Sequence, residues 1–117
     1  MTDEYLSGLL EGEGCFGMRT SGSPRQNGNT YRTTEISLGM TDADVVERVA
    51  RAWGTTVTKS QRGPHLTLFR TRLTGVRAAA VMVGVFPLMG ARRRSKIEEC
   101  LTQWEHGHKP RWGWTRG

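Results

Sequence analysis

Hydrophobic spacing along the chain changes period several times, and each change marks an element. Tyr5, Leu6, Leu9 and Leu10 recur at helical spacing behind Thr2, a side chain suited to an N-cap, with Asp3 and Glu4 in the first turn. This predicts a short helix over Asp3–Glu11, ended by Gly12 and Gly14. From Gly14 to Thr20 the period falls to two, with Phe16, Met18 and Thr20 set against Cys15, Gly17 and Arg19, as in a strand with one covered face. Residues 21–30 contain no apolar side chain beyond Pro24 and predict a mobile connection. Tyr31–Met40 alternates again: Thr34, Ile36, Leu38 and Met40 share one face, and Tyr31, Thr33, Glu35, Ser37 and Gly39 share a polar one.

Thr41 and Asp44 have the spacing of a capping box, predicting a helix with Val45/Val46, Val49 and Trp53 inward and Gly54 as its stop. Thr55–Ser60 and His65–Leu73 flank Gln61-Arg62-Gly63-Pro64 and read as a hairpin. Leu66 and Leu68 share parity with Arg70 and Arg72, whereas Phe69 and Leu73 have the other, which predicts a bulge or sharp twist. Gly75–Phe86 is an Ala/Val-rich buried helix stopped by Pro87. Arg92–Glu105 gives a last helix, with Ile97, Leu101 and Trp104 inward and Ser95 and Glu98 at its cap. The expected organisation is one domain over residues 1–105 and a basic tail over 106–117 carrying Trp112 and Trp114. The order α-β-β-α-β-β-α-α predicts an α+β fold, an antiparallel four-stranded sheet with helices on one face and the other face free. A twisted polar ribbon of this kind fits a DNA major groove.

Charge sharpens that expectation. The 117 residues carry a net charge of +6, and residues 59–117 hold 12 of the 17 basic groups against 3 of the 11 acidic ones. Such a surface suits a polyanion, nucleic acid or anionic membrane. The most apolar stretch, Ala78–Ala91, is interrupted by Gly84, Pro87 and Gly90 and is too short to span a bilayer. Two cysteines, Cys15 and Cys100, are too few for a secreted disulfide scaffold of this length. A soluble, intracellular, cytoplasmic protein with free thiols and no membrane partner is expected. The hydrophobic content of 36% allows only a modest core and makes a homodimer plausible.

The most informative stretch is Leu6-Ser7-Gly8-Leu9-Leu10-Glu11-Gly12-Glu13-Gly14. Glycines four apart on a helix let a second helix come close, and an acid follows at the helix end. Two copies packed across a two-fold axis would each deliver one Glu13 carboxylate to the floor between two polar sheets. Paired hard oxygen ligands suit Mg²⁺ and the hydrolysis of a phosphodiester. Taken alone, Gly12 and Gly14 read first as a helix stop and Glu13 as a solvated carboxylate.

This stretch, followed by Cys15-Phe16, resembles the signature of the LAGLIDADG homing endonucleases, and the element order resembles that family's αββαββα core. Met40-Thr41-Asp42 at a helix entry and Phe86-Pro87-Leu88 before a basic cluster extend the resemblance over about residues 3–105. It implies a DNA-binding saddle with site-specific, divalent-metal-dependent double-strand cleavage. The single motif implies a homodimer, with Leu6, Gly8, Leu9 and Gly12 at the interface. Residue by residue, Glu13 matches the metal-binding acid, as Glu where the family's name has Asp, and the Gly12 carbonyl is implied to face the metal. Glu11 matches a more structural acid. Arg92 matches a basic residue near the scissile phosphate, usually Lys, and Asp42 matches a polar residue that orients water. Asp42 also reads as an ordinary acid at a helix N-terminus.

Phosphate contacts are expected from Arg93, Arg94 and Lys96, and base contacts from Arg19, Tyr31, Thr33, Glu35, Ser37, Arg70 and Arg72. Arg19 is the leading guanine contact. The same fold also accommodates a DNA-binding regulator without cleavage or an RNA-binding splicing cofactor, and the glycine-rich helix alone would also serve a plain dimerisation module.

Overall fold

The computed structural model describes residues 1–21 and 31–107, in the order α1 (Asp3–Glu13), β1 (Gly14–Ser21), β2 (Tyr31–Met40), α2 (Ala43–Trp53), β3 (Thr58–Gln61), β4 (Thr67–Thr74), α3 (Val76–Val85), a 3-10 turn (Phe86–Leu88) and α4 (Ala91–Gly107). The connection expected to be mobile, from Gly22 onward, the tail past Gly107 and the Tyr31 side chain lie outside the described residues.

Thr2 caps α1 as its position suggests, its hydroxyl accepting from the Tyr5 N–H at 3.1 Å. The helix then runs through Gly12, where the sequence suggested a stop, and closes only at Gly14, whose N–H donates to the Leu10 carbonyl. Gly14 is buried, and a Cβ there would stand 2.7 Å from Leu10 Cδ2 and 2.8 Å from the Leu10 Cα and carbonyl oxygen. The glycine is needed because the chain turns from helix to strand directly against the helix's own last turn.

The strands form one antiparallel sheet in the order β1-β2-β4-β3. The register of β4 corrects the expected bulge: Glu35–Met40 oppose Thr74–Phe69 without a slip, and Thr58–Gln61 oppose Arg70–Thr67. Leu68 stands with Arg70 and Arg72 on the open face, half-buried beside Gly39, where a Cβ would lie 3.6 Å from Leu68 Cδ2. Phe69, Thr71 and Leu73 face the helices. The absent side chain of Gly39 makes room for Leu68, so no kink is required.

All four helices contribute to one core on the other face. Leu6 and Leu10 of α1, Val49 and Trp53 of α2, Ala78, Ala79, Met82 and Val85 of α3, and Ile97, Leu101 and Trp104 of α4 pack with Phe16, Ile36, Leu38 and Leu73 of the sheet. Asp42, rather than Thr41, caps α2, its Oδ1 accepting from the Asp44 N–H at 3.1 Å. Gly54 ends that helix in the left-handed region at φ 69°, and an Arg77 guanidinium from α3 donates to the Trp53 carbonyl. Gly75 turns β4 into α3 at φ 77° and ψ −151°, a conformation open essentially to glycine. Its N–H donates to the Thr34 carbonyl at 3.0 Å, and its carbonyl accepts from the Thr34 hydroxyl at 2.8 Å.

The start of α4 also differs from expectation. It begins at Ala91, so Ser95 lies a full turn inside, and no acid occupies its own first turn. Glu11 supplies one from α1, its carboxylate accepting from the Gly90 N–H at 3.3 Å where the dipole of α4 favours negative charge. Among the described residues no helix is long and apolar enough to cross a membrane.

Candidate nucleic-acid interface

Strand pairing arranges the open face in rows. Cys15, Ser37 and Arg72 form one, Gly17, Glu35 and Thr74 the next, and Arg19 and Thr33 the row beyond. On the opposite side of the Cys15 row, Gly39, Arg70 and Thr58 lie at the end of the sheet where α1 enters β1. Arg19, Arg70 and Arg72 line a cleft of about 590 Å³ together with Thr55, Thr56 and Thr58. Side chains from β1 and β3, the two edge strands, border the same hollow. Thr71, buried beneath, supports the threonine side: its hydroxyl lies 2.5 Å from that of Thr55 and donates to the Thr56 carbonyl at 3.0 Å. Glu35 is the acid of this face, with Oε1 3.7 Å from Arg19 Nη1 and 3.9 Å from Arg72 Nε.

The second component is the end of α1. Tyr5, Gly8, Leu9 and Gly12 lie along one side of it, with Leu9 half-buried against the edge of the core. Gly8 and Gly12 are exposed, and a Cβ at either would meet nothing within 4 Å. Leu6 belongs elsewhere: at 8% exposure it points into the core, and this corrects its expected place on a dimer face. Glu13 is exposed at the last residue of the helix, and its carboxylate has no hydrogen-bond or ion-pair partner among the described residues.

The fold brings the start of α4 to the end of α1, although about 80 residues separate them in sequence. Arg93 makes the junction, donating from Nη1 to the Gly14 carbonyl at 2.6 Å and from Nη2 to the Glu11 carbonyl at 3.1 Å. A cation thus closes the negative end of α1. Arg93, expected to contact phosphate, is instead committed to this junction. Its spacing of four from Ile97, on the inward stripe of α4, is the sequence signal that distinguishes it from its neighbours. Arg92 and Arg94 are exposed, whereas Lys96 pairs with Glu99 at 3.6 Å.

The remaining expected residues divide. Ser37 is half-buried on the open face, between Cys15 and Arg72. Thr33 is 7% exposed, on the open-face row opposite Arg19. Asp42 is exposed, with its carboxylate engaged as the cap of α2. The cleft-lining Thr55, Thr56 and Thr58 were not expected as ligand contacts. The parity of Thr58 with Arg70 was the available signal, usable only once the β3 register was known.

This architecture is that of solved nucleases. The chain is similar to the homing endonuclease I-CvuI in complex with the I-CreI target in the presence of Mg, with a TM-score of 0.63 at 11% identity over 86% of this chain and 63% of that one. The chain has the LAGLIDADG homing endonuclease fold. The archaeal intron-encoded homing endonuclease I-Vdi141I, complexed with DNA, matches with a TM-score of 0.60 at 12% identity over 98% of this chain and 87% of that one. The LAGLIDADG meganuclease I-AabMI, bound to uncleaved DNA, matches with a TM-score of 0.55 at 15% identity over 87% of this chain and 35% of that one. The chain therefore spans less than two thirds of I-CvuI and about a third of I-AabMI. No family model and no curated protein matches the sequence.

Proposed function

We propose that the protein is a site-specific DNA endonuclease that acts as a homodimer, each copy cutting one strand. The observation that carries this reading is the position of Glu13: an exposed carboxylate without a partner among the described residues, at the point where the open glycine face of α1 meets the Arg-lined sheet. Pairing two copies through Tyr5, Gly8, Leu9 and Gly12 would bring two such carboxylates together beneath two continuous basic saddles. Among the described residues of one chain, no three His, Cys, Asp or Glu side chains form a metal-binding group. Glu13 and the Gly12 carbonyl, in a turn where the helix supplies no further donors, are hard oxygen ligands that fit a divalent cation such as Mg²⁺ shared between copies. Such a cation would supply a Lewis acid and a lowered pKa for an attacking water.

The chain's own residues do the rest. Arg70 and Arg72 of the cleft hold the duplex, Arg94 adds phosphate attraction, and Lys96 contributes less because Glu99 offsets it. Arg92 stabilises charge on the scissile phosphate electrostatically, through a planar, delocalised cation where the family pattern has lysine. Asp42 has a minor part, its carboxylate being held by α2.

The test is cleavage of a randomised duplex library by the purified protein, with Mg²⁺ or with EDTA, followed by sequencing of the ends. Discrete near-palindromic cuts that need the metal and vanish in Glu13→Gln, with duplex affinity kept within about threefold, are the expected result. Loss of binding together with cutting would overturn the role given to Glu13. Selective binding without any cutting would identify a regulator on the same fold, and a preference for structured RNA at matched salt would overturn the DNA reading.

A further inference from the structure

We infer that Glu35 is a positioning residue that gathers Arg19 and Arg72 into one unit reading two guanines no more than about two base-pair steps apart. This rests on the DNA-binding reading above and extends it to the bases chosen. By strand geometry alone, Arg19, opposite Thr33, and Arg72, opposite Ser37, belong to rows four residues apart along β2. That is about 13 Å, too far for joint action. Glu35 stands on the row between them. Its neighbour in that row on β1 is Gly17, where a Cβ would meet nothing within 4 Å, so the place beside Glu35 is empty and Arg19 can lean back across it. Arg72 leans in from the other side.

Both guanidiniums then approach a single atom, Glu35 Oε1, at 3.7 Å and 3.9 Å. Groups sharing one oxygen in this way stand within about 8 Å of each other, close to two base-pair steps. Neither separation is a hydrogen bond, and Oε1 is buried without a donor of its own among the described residues. The attraction is therefore between charges, and among the described residues the N–H forks of both arginines have no closer partner. The Glu35 side chain is 22% exposed against 51% for Arg19 and 49% for Arg72, so the acid lies below two cationic heads on the side from which a duplex approaches. A fork aimed beforehand loses less freedom on binding, and its geometry matches the O6 and N7 acceptors of guanine. Arg70 differs. It lies along Gly39, whose Cβ would stand 3.4 Å from Arg70 Nε, and it has no carboxylate partner among the described residues.

The experiment is selection of bound sites from randomised duplexes by the full chain at one salt concentration, for wild type, Arg19→Ala, Arg72→Ala and Glu35→Gln. Wild type should select two guanines per half-site separated by at most one base pair, with Arg19→Ala losing one and Arg72→Ala the other. Glu35→Gln should reduce the preference at both positions about tenfold while raising affinity for every duplex, because a negative charge has left the face. In the Arg19→Ala background, Glu35→Gln should alter only the position read by Arg72. A uniform rise in affinity with both preferences intact would overturn the inference, leaving Glu35 a background charge. Guanines four base pairs apart would overturn it too, and this spacing decides the matter even if Glu35→Gln fails to fold. Absence of any selection by wild type would instead bring down the DNA-binding reading, and this inference with it.

Discussion

The same substitution two residues apart should move stability in opposite directions. Gly12→Ala adds a methyl to the exposed face of α1, where its Cβ meets nothing within 4 Å. Removing glycine from a helix there should stabilise the chain by about 0.5–1 kcal/mol. Gly14→Ala places its Cβ 2.7 Å from Leu10 Cδ2 and 2.8 Å from the Leu10 backbone. Leu10 is fully buried, and helix backbone cannot yield as a flexible side chain does. The end of α1 must shift, at a cost of about 1–3 kcal/mol. Urea unfolding of dilute protein, followed through the fluorescence of the buried Trp53 and Trp104, reads the difference. With a slope near 1 kcal/mol per molar urea, the two midpoints should separate by about 1.5–4 M, on either side of wild type. Sedimentation at higher concentration adds a second readout: Gly12→Ala should weaken self-association while strengthening the monomer, because the methyl fills the space a second helix would use. A wild-type midpoint for Gly14→Ala would refute the close approach. Unchanged or tighter association in Gly12→Ala would refute the α1 face as the contact between copies.

Other outcomes follow from the same contacts. Arg93→Met keeps much of the side-chain volume but leaves the Glu11 and Gly14 carbonyls without their donor; it should cost about 2–3 kcal/mol by the same urea assay, more than Arg92→Met at an exposed position. Thiol titration of the native protein should find Cys15 reactive and Cys100 protected, with both reactive in denaturant. Burial pushes the Cys100 thiol up to about 11 from 9.0, opposed in part by Lys96, so the folded state resists its ionisation. Because this raised value belongs to the folded state, the unfolded chain releases the proton first. The contribution of Cys100 is fully present below about pH 9 and is lost as pH rises toward 11. Cys100→Ala should flatten that alkaline loss, and an unchanged slope in urea midpoints between those pH values would refute it.

Local regularities of the sequence determine most of the elements by themselves. Alternation over Tyr31–Met40 fixed both the strand and its two faces, because side chains on a strand alternate whatever surrounds them. Thr2 marked the start of α1, and Gly54 the end of α2, through chemistry confined to one turn. The glycine-spaced motif ending in Glu13 pointed to the family whose fold the chain has. Tertiary structure decided what depends on partners distant in sequence. Gly12 remains helical because the turn closes at Gly14, where Arg93 reaches across from α4. α4 starts at Ala91 because an acid from α1 serves its N-terminus, a role no local pattern reveals. Leu6 is buried in the core while Leu9, equally apolar, is only half-buried at its edge, because the sheet covers only one side of α1. The arginines of one half of the chain acquired different roles in the same way. Arg93 faces carbonyls, Arg70 lies over a glycine and Arg72 leans to a carboxylate, since each strand register or helix face places the same cation beside a different neighbour.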